Sequence, residues 1–353
     1  MITFDGVSKT FPDGTMAVEN LNVELPTGKI TVFVGPSGCG KTTSLRMINR
    51  MIEPTGGRIL IDGVDVMSQD AALLRRSIGY VIQHAGLFPH RTVLENVTTV
   101  PNLIGINKKA ARAIALELLE RVGLSASMAS KYPVQLSGGQ EQRVGVARAL
   151  AVDPPVMLMD EPFSAVDPIV RGGLQDEFLR LQSELGKTIA FVTHDIDEAI
   201  KLGDMVAIFH EGGHLAQYDS PQELLARPAN DFVADFVGRD RGFRSLSFER
   251  ASGLEVEPVS SVLTGSDTLL LDSAGAPTGW VGPGVGTADS PASIGGTFTD
   301  SDSLRLVTDL AIGSPVGIAI RVNAEGAADG MIRHESLVRQ LDARRRDHTA
   351  VPA

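Results

Sequence analysis

The stretch Ile30-Thr31-Val32-Phe33-Val34-Gly35-Pro36-Ser37-Gly38-Cys39-Gly40-Lys41-Thr42 decides the fold. Its first five residues read as a buried strand, and Thr42 to Met51 has a helical pattern, so a glycine-rich loop joins strand to helix. Glycines let the backbone curl until successive N–H groups point inward, and the helix start adds the positive end of its dipole. Such a loop cradles phosphate oxygens. Gly35, Pro36, Ser37, Gly38, Cys39, Gly40, Lys41, Thr42 and Thr43 are therefore candidate nucleotide-binding residues. Lys41 is expected to reach the β- and γ-phosphates, and Thr42 to bind Mg²⁺ through its hydroxyl. A chance glycine-rich turn carrying a lysine is the alternative, and the strand–loop–helix setting argues against it. Cys39 reads as a small residue tolerated in the loop; alkylating it is expected to block phosphate entry.

Outward from this loop, β-rich runs alternate with helical stretches over about residues 1–240, the pattern of an α/β domain with a largely parallel sheet. Val156-Met157-Leu158-Met159-Asp160-Glu161 is an apolar run ending in two carboxylates. A buried strand would deliver both to the C-terminal edge of the sheet, beside the loop. Asp160 is then placed to hold Mg²⁺, and Glu161 to polarise an attacking water. Paired acids at a strand end are common solvated residues, so this motif draws its weight from the loop upstream. Residues from about 85 to 151 are helical in pattern, with Ile114, Leu118, Leu119 and Val122 on one face, and read as a helical insertion.

The kind of nucleotide protein is indicated by Leu136-Ser137-Gly138-Gly139-Gln140, followed by a helix to about Ala151. This resembles the signature sequence of ATP-binding cassette (ABC) ATPases. Ser137 and the glycine amides at a helix start make a second anion site, and two such sites far apart in sequence suggest a nucleotide clamped between two chains. The resemblance implies an α/β fold, a P-loop ABC-type nucleotide-binding domain with a mixed sheet core and a helical subdomain. It also implies ATP and Mg²⁺ as cofactors, and a head-to-tail homodimer. By the same resemblance Gln83 matches the glutamine that senses Mg²⁺ and γ-phosphate, His194 the switch histidine, and Asp167 a loop that communicates across the dimer. Glu161, His194 and Gln83 are thus the candidate catalytic residues, and Thr42, Gln83 and Asp160 the candidate magnesium ligands. Phe11 occupies the place of the aromatic that stacks on adenine, with a core role as its alternative.

The similarity covers about 240 residues and is strongest to the ATPase subunits of bacterial importers for quaternary amines such as glycine betaine, carnitine and choline. Asn49 to Thr55, Gly79 to Gln83 with Gly86 to His90, Asp195 to Ile200, and Phe232 to Gly238 carry it. The implied partners are transmembrane permease subunits and a substrate-binding protein, with the chain peripheral at the cytoplasmic face of the membrane. An ATPase of an amino-acid or polyamine importer, or a soluble ABC ATPase, is the alternative. A kinase or GTPase would share the loop but not Leu136 to Gln140.

Composition narrows the remaining classes. The 353 residues carry 32 Lys and Arg against 43 Asp and Glu, a net charge of −11 that argues against nucleic acid and against direct binding to an anionic membrane. No apolar run approaches the roughly 18 residues that span a bilayer, and the first residues lack the pattern of an export signal, so a cytoplasmic chain is expected. One cysteine excludes a disulfide framework. Past about residue 240 lysine is absent and Gly, Ser, Thr and Pro crowd residues 260–300. This second region, 241–353, is read as partly flexible and as a small α+β, degenerate CBS-like regulatory pair, with weak copies at about 255–285 and 300–342.

Overall fold

The computed structural model describes residues 1–349 except 84, 85, 165, 239 and 263–266, with only the backbone of 168 and 345–349. The expected subdomain boundary at Ala85, and Ala165 of the communicating loop, lie outside the described residues. The chain divides into two compact units, Met1–Gly238 and Arg239–Ala353.

In the first unit, β1 (Ile2–Thr10), β2 (Met16–Leu25), β4 (Gly56–Ile61) and β5 (Val64–Asp65) form an antiparallel sheet of order β2-β1-β4-β5. A six-stranded sheet combines β3 (Ile30–Val34), β6 (Ile78–Val81), β7 (Val156–Asp160), β8 (Thr188–Val192), β9 (Met205–His210) and β10 (His214–Asp219) in the order β10-β9-β3-β8-β7-β6. Every pairing in it is parallel except β9 with β10. The largely parallel sheet is therefore present, and the antiparallel one stands beside it. Strands β3, β7 and β8 are buried along their whole length, as expected of parallel strands covered on both faces. Phe4 of β1, Phe33 of β3 and Phe209 of β9 form edge-to-face pairs at 6.2 and 5.3 Å, joining the two sheets in one core. Burying each such ring contributes on the order of 2–3 kcal/mol.

The helices are α1 (Lys41–Ile48), α2 (Ala71–Ser77), α3 (Val93–Val97), α4 (Thr99–Leu103), α5 (Lys108–Arg121), α6 (Gly138–Leu150), α7 (Pro168–Leu185), α8 (Ile196–Leu202), α9 (Pro221–Ala226) and α10 (Asp231–Phe236). Helix α1 stops short of Met51 because Arg50 takes a left-handed φ of 54°. In α5 the buried residues are Ala111, Ala115, Leu118 and Leu119, so the inner face is lined partly by alanine, and Ile114 is only half-buried. Small residues there permit close helix packing and carry little hydrophobic signal.

In the second unit, α11 (Arg241–Ser245) precedes a hairpin of β11 (Thr268–Leu271) and β12 (Pro277–Val281). A three-stranded sheet follows, of order β13-β14-β15, with β13 (Thr297–Phe298) parallel to β14 (Ile318–Val322) and β15 (Ala328–Arg333) antiparallel to it. Helix α12 (Leu304–Gly313) crosses from β13 to β14, and α13 (His334–Thr349) follows β15. The expected repeat is confined to the hairpins: α12 and α13 flank the second one, whereas no helix lies between β12 and β13. Residues 267–300 nonetheless pack around Trp280, which is fully buried against Leu269, Ile320 and Met331.

Candidate phosphate-binding site

The loop after β3 needs glycine at two positions for stated steric reasons. A Cβ on Gly35, at φ 152°, would lie 2.3 Å from the Phe209 carbonyl oxygen, and one on Gly40, at φ 94°, 2.1 Å from that of Ala17. Gly40 is also the N-cap of α1 and supplies no side-chain acceptor, so the first amides of that helix have no side-chain cap among the described residues. Lys41 is buried, and its ammonium donates to the carbonyls of Gly35 and Pro36, both at 2.8 Å. A buried cation, helix amides without a side-chain cap and glycine-curled backbone thus stand together, an electrostatic fit for a polyphosphate.

Strand register brings the acidic motif to this loop. Asp160 on β7 pairs with Val192 on β8, and β8 pairs with β3 at Val192 and Phe33, so the C-terminal ends of three strands lie side by side. Asp160 is buried, and its Oδ1 accepts from the Thr42 hydroxyl at 2.9 Å. Hydroxyl and carboxylate oxygens adjacent to a phosphate cradle suit Mg²⁺, which takes one or two protein oxygens together with phosphate oxygens. Among the described residues there is no group of three or more His, Cys, Asp or Glu placed to hold a metal ion.

Glu161 carries the sharpest geometry. Its backbone is left-handed, φ 47°, with its N–H bonded to the Val192 carbonyl at 2.9 Å and its carbonyl accepting from the Ser164 hydroxyl at 2.9 Å. A non-glycine residue pays about 1–2 kcal/mol for that conformation. The Gln83 side-chain amide donates to Glu161 Oε2 at 3.3 Å, and His194 Nδ1 lies 3.2 Å from the same oxygen. All three candidate catalytic residues therefore converge, from the ends of β6, β7 and β8.

The second motif lies elsewhere on the unit. Ser137 is the N-cap of α6 in a reciprocal capping box with Gln140. Ser137, Gly138, Gly139 and Gln140 line an open cleft of about 920 Å³ together with Asp167, Ile169, Val170 and Arg143. Leu136 is half-buried. Asp167 caps α7, accepting from the Ile169 amide at 2.8 Å. No residue of the loop Gly35 to Thr43 lines this cleft.

Arg46 and Tyr80 were not singled out, yet both reach Asp160 Oδ2, at 3.3 and 3.5 Å, leaving Oδ1 to Thr42. The available signal was spacing: Arg46 lies one turn past Thr42 on α1, and Tyr80 lies on β6, which pairs with β7. Cys39 is fully buried and its thiol is pushed up by burial, against the opposing pull of Lys41, so it is not the ready alkylation handle expected of it. Phe11 sits half-buried in the β1–β2 connection with the Lys9 ammonium 5.4 Å from its ring centre, which sets it apart from the cores.

The fold and these motifs define a P-loop nucleotide-binding protein. Residues 18–164 match the family model for the ABC transporter. The chain is 51% identical to the choline transport ATP-binding protein OpuBA of Bacillus subtilis over 70% of this chain and 65% of that one, and so spans less than two thirds of its length. It is 45% identical to the glycine betaine uptake system ATP-binding protein YehX of Escherichia coli, over 77% of this chain and 90% of that one. Among solved structures, the ATP-binding cassette MJ0796, in a dimeric post-hydrolysis state bound to ADP and Pi, is 35% identical with a TM-score of 0.56, covering 63% of this chain and 99% of the other. The chain belongs to the ABC transporter family.

Proposed function

We propose that the chain is the ATP-hydrolysing subunit of an importer for quaternary amine osmoprotectants. The observation that carries the hydrolytic part is the convergence of Gln83, Glu161 and His194 on one carboxylate oxygen beside the Thr42–Asp160 pair. The choice of substrate rests on the relatives, two of which are named for choline and glycine betaine transport.

In this reading Gly35 to Thr43 bind the phosphates, Lys41 leaving its carbonyl partners for phosphate oxygens, and Phe11 meets the adenine. Thr42, Asp160 and Gln83 would hold Mg²⁺, which would offset charge on the phosphates. Arg46 and Tyr80 fix the rotamer of Asp160. Glu161 accepts the proton of the attacking water. Gln83 and His194 hold that carboxylate in place, and His194 meets the γ-phosphate. Ser137 to Gln140 of a second copy close over the nucleotide, and Asp167 lies at that seam. Closure thus depends on ATP and reverses after hydrolysis. The partners are a second copy of the chain, transmembrane permease subunits and a substrate-binding protein, and the subunit is peripheral at the cytoplasmic face of the membrane. Among the described residues no helix is long and apolar enough to cross a bilayer, so the permease supplies the membrane path. The ATPase domain is assigned to 1–240 and a CBS-like regulatory role to 241–353, supported by the β13–α12–β14–β15–α13 order.

The testing experiment is size-exclusion chromatography of Glu161→Gln with and without ATP. A monomer that becomes a persistent dimer on adding ATP is expected, with no phosphate release. A variant that hydrolyses at the parental rate would move the base away from Glu161, and an ATP-bound monomer would reject the clamp for the isolated chain.

A further inference from the structure

Among the described charged side chains only Lys41, Asp160 and Glu198 are buried below a tenth exposure. The first two belong to the phosphate site, whereas Glu198 touches none of its residues directly in the bonds that fix it. It lies in the first turn of α8, four residues past His194. Its Oε1 accepts from the side-chain amide of Gln175 at 3.0 Å, a bond buried at both ends. Gln175 stands on α7, whose first residues follow Asp167.

The same two helices are joined on either side of that bond. One turn before Gln175, Arg171 lies 4.0 Å from Asp195, the N-cap of α8, and donates to the Val166 carbonyl at 3.1 Å. One turn beyond Glu198 lies Lys201, which pairs with Asp176 at 2.7 Å and donates to the Gly172 carbonyl at 3.2 Å. The outer ion pairs are partly exposed to solvent and of small strength, roughly 0–1 kcal/mol each. The inner one excludes water, so neither partner can exchange it for solvent without exposing or orphaning a buried polar group. Burial pushes the Glu198 carboxyl up, while Thr193 and Gln175 stabilise its charged form by hydrogen bonding. Thr193 immediately precedes His194, and its hydroxyl accepts from the Asp195 amide at 3.1 Å. The Glu198 amide also donates to Asp195 Oδ1 at 3.3 Å, so the turn that follows His194 is tied to Glu198, and the body of α7, at Gln175 eight residues past Asp167, is held by the same group.

We propose that Glu198, through Gln175, is a positioning residue that couples the His194 segment to the Asp167 end of α7. His194 stands beside Glu161, and Asp167, Ile169 and Val170 line the cleft shared with Ser137 to Gln140. A shift of one segment is passed to the other because the bond between them is buried and has no alternative partner in water. The consequence is communication between the hydrolytic carboxylate and the surface that meets the second copy. This inference rests on the hydrolytic reading given above.

The test is steady-state ATP hydrolysis by the full chain, as a function of ATP concentration, for the parent, Glu198→Ala, Glu198→Gln, Gln175→Leu and the double variant Glu198→Ala with Gln175→Leu. Glu198→Ala is expected to lower kcat about tenfold with KM within about twofold, and to bring the Hill coefficient toward one. Glu198→Gln keeps an acceptor for Gln175 and restores kcat to within about twofold of the parent. Gln175→Leu reproduces the loss, and the double variant is no slower than the worse single one, the signature of one shared interaction. Parental kcat and cooperativity in Glu198→Ala, a change in KM alone, or additive losses in the double variant would overturn the proposal. Should Glu198→Ala fail to give a cooperative melt, Gln175→Leu and Glu198→Gln decide by the same criteria. A parent chain that hydrolyses no ATP overturns the hydrolytic reading itself, whereas a hydrolysing parent with unaffected variants overturns only the coupling.

Discussion

The chain holds two glycine-rich helix starts, and they solve the same electrostatic problem in different ways. At α1 the cap is Gly40, left-handed and without a side chain, and the nearby cation Lys41 is buried. At α6 the cap is Ser137, whose hydroxyl accepts from the Gln140 amide, and the glycines that follow it have negative φ on an exposed surface. The first start leaves amides for a ligand and is shaped by neighbouring backbone. The second has one of its first amides capped by its own serine and lies on an open cleft. A start of the first kind binds alone, whereas one of the second kind contributes once another surface covers it. The difference is steric before it is electrostatic, because only the first loop is pressed against other strands.

The comparison breaks most sharply on alanine. Gly40→Ala puts a Cβ against the Ala17 carbonyl at a left-handed position and is expected to cost about 3 kcal/mol, read as a lower urea midpoint. Gly139→Ala meets only Leu174 Cδ1 at 3.5 Å and should change stability by less than about 1 kcal/mol. Its effect should appear instead as a higher ATP concentration for dimerisation in the Glu161→Gln background. Equal losses of stability at the two sites would erase the distinction. Ser137→Ala removes the cap of α6 and should cost about 1 kcal/mol of stability, with ATP binding to the monomer unchanged by equilibrium titration. The smallest effect concerns Cys39. Only the thiolate reacts, and burial raises this thiol, so maleimide labelling at neutral pH should run roughly tenfold or more slower than that of an exposed cysteine. The rate should climb as pH rises past the ordinary thiol range; fast labelling at pH 7 would show the loop to be open.

Legibility followed how local each feature is. The loop Gly35 to Thr43, the run Val156 to Glu161 and the stretch Leu136 to Gln140 are contiguous, and each states a strand end or a helix start through residues a few positions apart. The antiparallel sheet of β1, β2, β4 and β5 was not read, because its strands are joined by connections of very different length and its pairing of Ile2 with Ile61 is far from local. The inner face of α5 was read only in part, since Ala111 and Ala115 pack without a strong apolar signature. Arg46, Tyr80, Gln175 and Glu198 escaped because each acts through a partner that the sequence places far away.

By itself the sequence determined the existence of a phosphate loop, an acidic strand end and a second capped helix start, since these depend on backbone conformations that a few consecutive residues impose. The tertiary structure alone decided that Gln83, Glu161 and His194 meet at one oxygen, that Asp160 is gripped from two sides, and that Glu198 is sealed between two helices. The physical reason is that convergence and burial are set by strand register and helix packing, which sum contacts over the whole unit and leave no trace in the order of neighbouring residues.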